Sequence, residues 1–154
     1  MRIVIGSDHA GFELKQVVAK FVRDSGHELL DVGTFSAEPV DYPDSAEAVG
    51  RAVLAGSAER GILLCGSGVG AAVAANKLPG IRAGMCHDSY SAHQGVEHDD
   101  MNVLVLGGRI LGHELACELV RVYLAARYTG LERHRRRLDK IRALEIRYAG
   151  VREP

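Results

Sequence analysis

Short apolar runs alternate along almost the whole chain with longer stretches in which apolar residues recur every three or four positions. The first kind reads as buried β-strands and the second as amphipathic helices. Residues 2–5 predict a first strand, followed by a helix over 12–24 that Gly26 closes. Residues 28–32 predict a second strand ending at Gly33, and 44–55 a helix opened by the turn Asp41-Tyr42-Pro43-Asp44. Residues 62–65 and 70–78 make a third strand–helix pair, 81–85 and 88–95 a fourth, and 102–106 and 114–127 a fifth. Such alternation with short links implies an α/β fold: a three-layer α/β/α sandwich around a five-stranded, mainly parallel, Rossmann-like sheet. A last helix over 131–148 is too polar for a core. Its residues Leu138, Ile141, Leu144 and Tyr148 nevertheless recur at helical spacing, a stripe expected to dock on a second subunit.

No internal repeat, low-complexity stretch or linker interrupts the pattern, so residues 1–154 are expected to form a single domain. Apolar residues at 47% and charged residues at 25% are ordinary for a globular protein. A formal net charge of −1 gives no electrostatic reason to expect nucleic acid or an anionic membrane as partner. No window approaches the length of a membrane span. Three cysteines, Cys65, Cys86 and Cys117, give no disulfide framework and fit a reducing compartment. The N-terminus runs directly into a strand without the longer apolar stretch of a signal peptide, so the expected location is the cytoplasm.

The segment Gly61-Ile62-Leu63-Leu64-Cys65-Gly66-Ser67-Gly68-Val69-Gly70 carries the most chemistry. A strand delivers Cys65 into alternating glycines that open a helix, and the free N–H groups of such a joint bind anions. The same field favours a thiolate. A strand cysteine is also often a small buried hydrophobe, and both readings stand. The spacing fits neither a Walker A loop, which needs a lysine and a hydroxyl, nor a dinucleotide fingerprint after the first strand. A cysteine phosphatase would need an arginine where Ala71 and Ala72 stand. What remains is a loop for a small oxyanion such as an enediolate.

Open α/β sheets bind ligands beyond the carboxyl ends of their strands, which gathers Asp8 and His9, Cys65 to Gly70, and Arg109. Asp8-His9 is either a polar turn or a pair suited to moving hydroxyl protons on a sugar. His98-Asp99-Asp100 lies away from Cys65, as a surface turn or as a group serving a neighbouring subunit. In the basic run Arg133-His134-Arg135-Arg136-Arg137, Arg133 and Arg137 share a helical face; they form a solvated face or a phosphate clamp. No histidine pair has metal-ligand spacing, so no metal or other cofactor is expected.

Gly6-Ser7-Asp8-His9-Ala10-Gly11-Phe12, Asp41-Tyr42-Pro43-Asp44, Cys65-Gly66-Ser67-Gly68-Val69-Gly70, Ala74-Ala75-Asn76-Lys77 and Gly80-Ile81-Arg82-Ala83 together resemble the ribose-5-phosphate isomerase B family. That family also includes galactose-6-phosphate and allose-6-phosphate isomerases. Glu97-His98-Asp99-Asp100-Met101-Asn102-Val103-Leu104 and Gly107-Gly108-Arg109 extend the resemblance, which runs from residue 1 to about 145. It implies a metal-free aldose–ketose isomerase acting on ribose 5-phosphate. It assigns Cys65 as base, His98 and Asp8 to ring opening, Ser67 to proton relay, and the amides of Gly66, Ser67, Gly68, Val69 and Gly70 to the enediolate. His9, Tyr42, Asp99, Arg109, Arg133 and Arg137 match substrate-binding positions, the arginines chiefly for phosphate. Ser67 stands where many members carry threonine, and Asp99 where many carry an asparagine. Members lacking the cysteine use a glutamate along the following helix, and Gly70-Ala71-Ala72-Val73-Ala74 offers none. The resemblance also implies a homodimer, or a dimer of dimers, with sites shared between subunits. The alternatives are an isomerase of a hexose 6-phosphate or a non-catalytic sugar-phosphate-binding protein.

Overall fold

Five strands form one sheet in the computed structural model, which describes residues 1–150; residues 151–154 of the expected domain lie outside it. They are β1 (Arg2–Ser7), β2 (Glu28–Asp31), β3 (Arg60–Cys65), β4 (Ala83–Met85) and β5 (Val103–Gly107), in the order β2-β1-β3-β5-β4. Every pairing is parallel. The helices are α1 (Phe12–Asp24), α2 (Tyr42–Leu54), α3 (Val69–Ala75), α4 (Ser89–Asp99), α5 (His113–Ala125) and α6 (Glu132–Tyr148), with a single 3-10 turn at His9–Gly11.

Side chains of successive strand residues point to opposite faces, and here both faces are apolar. Ile3, Ile5, Ile62, Leu64, Leu104 and Leu106 pack under α1, α4 and α5 with Val18, Val96 and Leu119. Val4, Leu63, Cys65, Val103 and Val105 pack under α2 and α3 with Ala46, Val49, Ala71 and Ala75. Both layers of the expected sandwich are therefore present. No helix among the described residues is long and apolar enough to cross a membrane.

Most boundaries shift by a few residues from the sequence reading, and three of the shifts have a clear local reason. Helix α2 starts at Tyr42, because Pro43 suits the first turn. Strand β4 begins at Ala83, because the Arg82 N–H bonds the Asn102 side chain at 2.8 Å instead of joining the ladder. Helix α4 runs through Gly95 and stops at Asp100, whose φ of 48° is left-handed. His98 and Asp99 therefore sit on the last turn of a helix, not in a surface turn.

The stripe on α6 is split. Leu138 is buried within its own chain, whereas Ile141, Leu144 and Tyr148 remain exposed at 39%, 50% and 60%. Ile141 and Leu144 border an apolar groove of about 510 Å³ with Ile81, Gly84, Cys86 and Met101.

Gly11 fixes how closely the turn after β1 approaches the end of β3. A Cβ there would lie 2.8 Å from the Leu64 carbonyl carbon and 2.9 Å from the Cys65 nitrogen, both rigid backbone. Gly11→Ala should therefore lower unfolding free energy by about 2 kcal/mol, read from the urea midpoint at constant slope. An unchanged midpoint would contradict this packing.

Candidate active site

β1 lies between β2 and β3, and α1 after β1 packs on one face of the sheet while α3 after β3 packs on the other, so the loops after β1 and β3 diverge and leave a crevice at their carboxyl ends. A cavity of about 360 Å³ lies there, with Asp8, His9, Tyr42, Cys65, Ser67 and Arg109 in its wall.

Each of these side chains is held by its local backbone. Asp8 is buried and caps the 3-10 turn: the Gly11 N–H donates to its Oδ1 at 2.9 Å, and its own N–H donates to the Leu64 carbonyl at 3.2 Å. His9 Nδ1 accepts the Val40 N–H at 3.2 Å, tying the turn to the loop before α2. Tyr42 lies across Gly70, where a Cβ would stand 2.8 Å from the ring Cζ. The phenol and the glycine are therefore a matched pair.

Cys65 ends β3 and is buried at 4% exposure. Gly68, at φ +88°, reverses the loop and directs its N–H at Cys65 Sγ, 3.1 Å away. An N–H aimed at sulfur stabilises charge that develops there. Ser67 Oγ is exposed and accepts the Val69 N–H at 3.3 Å. The Arg109 N–H bonds the Gly66 carbonyl at 2.9 Å, and the Gly108 N–H bonds the Cys65 carbonyl at 2.8 Å, so the loop after β5 is tied to the loop after β3. The other thiols lie elsewhere: burial pushes Cys86 up to about 11 and raises Cys117.

His98, Asp99, Arg133 and Arg137 do not join this cavity within one chain. His98 precedes β5, whose first residue Val103 pairs with Gly61, whereas Cys65 pairs with Gly107. Four residues of strand separate the two levels, about 13 Å. These four gather instead around His134, a buried residue the sequence reading left inside the basic run. The His98 and His134 rings stack at 4.2 Å between centroids with a 33° tilt. The Arg133 Nε–H reaches His134 Nε2 at 3.0 Å, and His134 Nδ1 lies 2.8 Å from Thr129 Oγ1, which donates to the Glu97 carbonyl at 3.0 Å. An arginine nitrogen only donates, so His134 Nε2 accepts and the ring carries its proton on Nδ1. His134 lies four residues before Leu138, so carrying the apolar stripe back one turn was the available signal.

Arg82 also escaped the sequence reading. Its guanidinium donates to the Asp99 carbonyl at 3.1 Å and the Asp100 carbonyl at 2.8 Å, and pairs with Asp100 Oδ2 at 2.7 Å. This clamp holds the end of α4, and with it His98. Among the described residues no three His, Cys, Asp or Glu side chains converge as a metal site.

A model of the family described as Ribose/Galactose Isomerase matches residues 3–141. The ribose-5-phosphate isomerase B of Escherichia coli is 45% identical over 146 residues, covering 95% of this chain and 97% of that protein. The D-erythrulose-4-phosphate isomerase of Pectobacterium atrosepticum is 39% identical, covering 84% of this chain and 86% of its own. Among solved structures, the Clostridium thermocellum ribose-5-phosphate isomerase B superposes with a TM-score of 0.94 at 47% identity, covering 96% of this chain and 99% of that one.

His134 also gives the protein a pH dependence. Burial, then the neighbouring His98, Arg133 and Arg137, lowers its pKa below the ordinary 6.5. The unfolded chain then binds the proton first as pH falls, so this ring contributes stability above pH 6.5 that is lost as pH drops through its lowered folded value. Thermal unfolding from neutral pH into the acid range should show a steeper loss of Tm for the wild type than for His134→Gln. Parallel curves would refute a buried neutral ring.

Proposed function

The chain belongs to the ribose/galactose isomerase family, and we propose that it interconverts D-ribose 5-phosphate and D-ribulose 5-phosphate through a cis-enediolate. The observation that carries this reading is the thiol of Cys65, with the Gly68 N–H aimed at its sulfur, on the wall of a cavity that also holds the fixed carboxylate of Asp8. A site that only bound a sugar phosphate would need no such group.

In this mechanism His98 and Asp8 open the furanose ring: the bond from C1 to the ring oxygen breaks, the ring oxygen gains a proton and the C1 hydroxyl loses one. Cys65 as thiolate then removes the proton from C2, and charge moves onto O1. The amides of Gly66–Gly70 stabilise that oxyanion where it forms. Ser67 relays the O2 proton to O1, and the Cys65 thiol returns its proton to C1, leaving the ketone at C2. His9 binds the substrate, Arg109, Arg133 and Arg137 hold its phosphate, and Tyr42 closes the wall. Asp99, a carboxylate, can accept from sugar hydroxyls but donates nothing.

The separation between the Cys65 and His98 groups within one chain supports a homodimer in which each site takes Cys65, Asp8, His9 and Arg109 from one copy and His98, Arg133 and Arg137 from the other. The exposed Ile141 and Leu144 along α6 supply apolar surface for that contact. Pairing of dimers into tetramers is compatible with it. Three free cysteines suit the cytoplasm.

A coupled assay with EDTA present should show turnover of ribose 5-phosphate above that of erythrose 4-phosphate, allose 6-phosphate and galactose 6-phosphate. Cys65→Ala should lower kcat by at least about 100-fold while phosphosugar binding survives. Preference for another sugar would change the substrate and keep the mechanism; unchanged kcat in Cys65→Ala would remove the base.

Subunit sharing has its own test. Cys65→Ala and His98→Asn are each expected to be inactive, but a mixed dimer contains one site with both native residues. Co-refolding equal amounts should restore about a quarter of wild-type activity, since about half the dimers are mixed and each has one intact site. No recovery would place both residues in the same subunit's site.

A further inference from the structure

We propose that Gln94 holds His98 in the tautomer that carries its proton on Nε2, so that this ring meets the sugar as a hydrogen-bond donor. The donor role rests on the reading above, in which His98 opens the ring; the tautomer itself does not.

Gln94 and His98 stand four residues apart on α4 and so share one face of the helix. The Gln94 amide nitrogen lies 2.8 Å from His98 Nδ1. An amide nitrogen only donates, so Nδ1 must accept, and a neutral imidazole that accepts at Nδ1 carries its hydrogen on Nε2. The other neighbour of the ring leaves this assignment intact. His134 stacks against His98, and its own two nitrogens are committed to Arg133 and Thr129. It therefore has no edge to offer His98 and no proton to exchange with it. Nε2 is the polar atom of His98 left for a ligand.

The arrangement divides the work of ring opening. A ring nitrogen that bears hydrogen can bond to the ring oxygen as the C1–O bond weakens, but it has no lone pair with which to take the C1 hydroxyl proton. That proton must go to another group, and Asp8 is the carboxylate available on the opposing half of the site. Gln94 is thus a positioning residue that acts through His98.

The test reads the tautomer directly and the chemistry separately. Long-range proton–nitrogen NMR of the unliganded protein, at about pH 7.5 and above the usual imidazole range, should show His98 protonated on Nε2 alone. Gln94→Glu puts an acceptor against Nδ1 and should move the proton there or hold the ring as imidazolium. Gln94→Met, of similar length and helix propensity, removes the donor and should leave a mixture of tautomers. With ribose 5-phosphate, which must be opened, Gln94→Glu should lower kcat/KM about tenfold or more. Erythrose 4-phosphate has O4 blocked by phosphate and cannot close a five-membered ring on either side of its isomerisation, so its rate should stay within about twofold by the same reasoning. A wild-type spectrum with the proton on Nδ1, or a Gln94→Glu spectrum identical to wild type, overturns the tautomer. A reversed tautomer with an unchanged ribose 5-phosphate rate overturns the donor role while His98→Asn remains inactive. If His98→Asn also leaves that rate unchanged, the ring-opening reading itself has failed.

Discussion

The structure turns on backbone packed against backbone where β1, β3 and β5 end. Gly11 lies against the Leu64–Cys65 peptide, a Cβ on Gly107 would stand 2.6 Å from the Ser67 carbonyl oxygen, and one on Gly108 would stand 2.8 Å from that of Ala10. Two hydrogen bonds, from Gly108 to Cys65 and from Arg109 to Gly66, join the same loops. Side chains at these glycines would hold the loops apart and open the wall of the cavity. Their absence brings the Asp8 carboxylate, the Cys65 sulfur and the Arg109 loop to one place and fixes them to rigid strands, which is the precision that proton transfer demands.

That constraint builds one half of the proposed site. The other half is organised differently, by side chains at the end of α4 and the start of α6. Arg82 grips the turn after α4 through two carbonyls and the Asp100 carboxylate, and His134 joins Arg133 to Thr129. The first half is backbone amides and a thiol, suited to an enediolate; the second is imidazole and guanidinium, suited to a ring oxygen and a phosphate. A twofold contact would bring the first half of each copy to the second half of the other, yielding two complete sites from one repeated interface.

The layered α/β fold was legible because strands buried on both faces leave unbroken apolar runs, and Ile62–Leu64 is the clearest of them. The Cys65 loop was legible because alternating glycines after such a run have few other uses. The end of α4 was not. Gly95 reads as a stop, but Val96 one residue on is fully buried and carries the helix forward, and the left-handed turn falls to Asp100, a residue that tolerates it. His134 was hidden by its neighbours: four arginines in five residues read as a solvated face, and it is the burial of His134 together with Leu138 that shows which side of α6 turns inward. The Gln94–His98 contact had the right spacing in the sequence, but spacing does not say which nitrogen meets which.

The three cysteines show why residue type alone does not single out the base proposed above. Cys86 is as buried as Cys65, at 5% against 4%, and its thiol is pushed up to about 11 because burial removes water and nothing replaces it beyond the adverse charge of Asp88. Cys117 is raised by the same desolvation, with Glu114 adding to it. Cys65 also loses water, but the left-handed turn at Gly68 returns an N–H donor to its sulfur. Burial without a donor leaves a thiol inert, whereas an N–H aimed at the sulfur is the setting that the base role proposed for Cys65 requires. The difference lies in the dihedral angle of a residue three positions away. That is why a glycine at 68 says as much about this chemistry as the cysteine at 65.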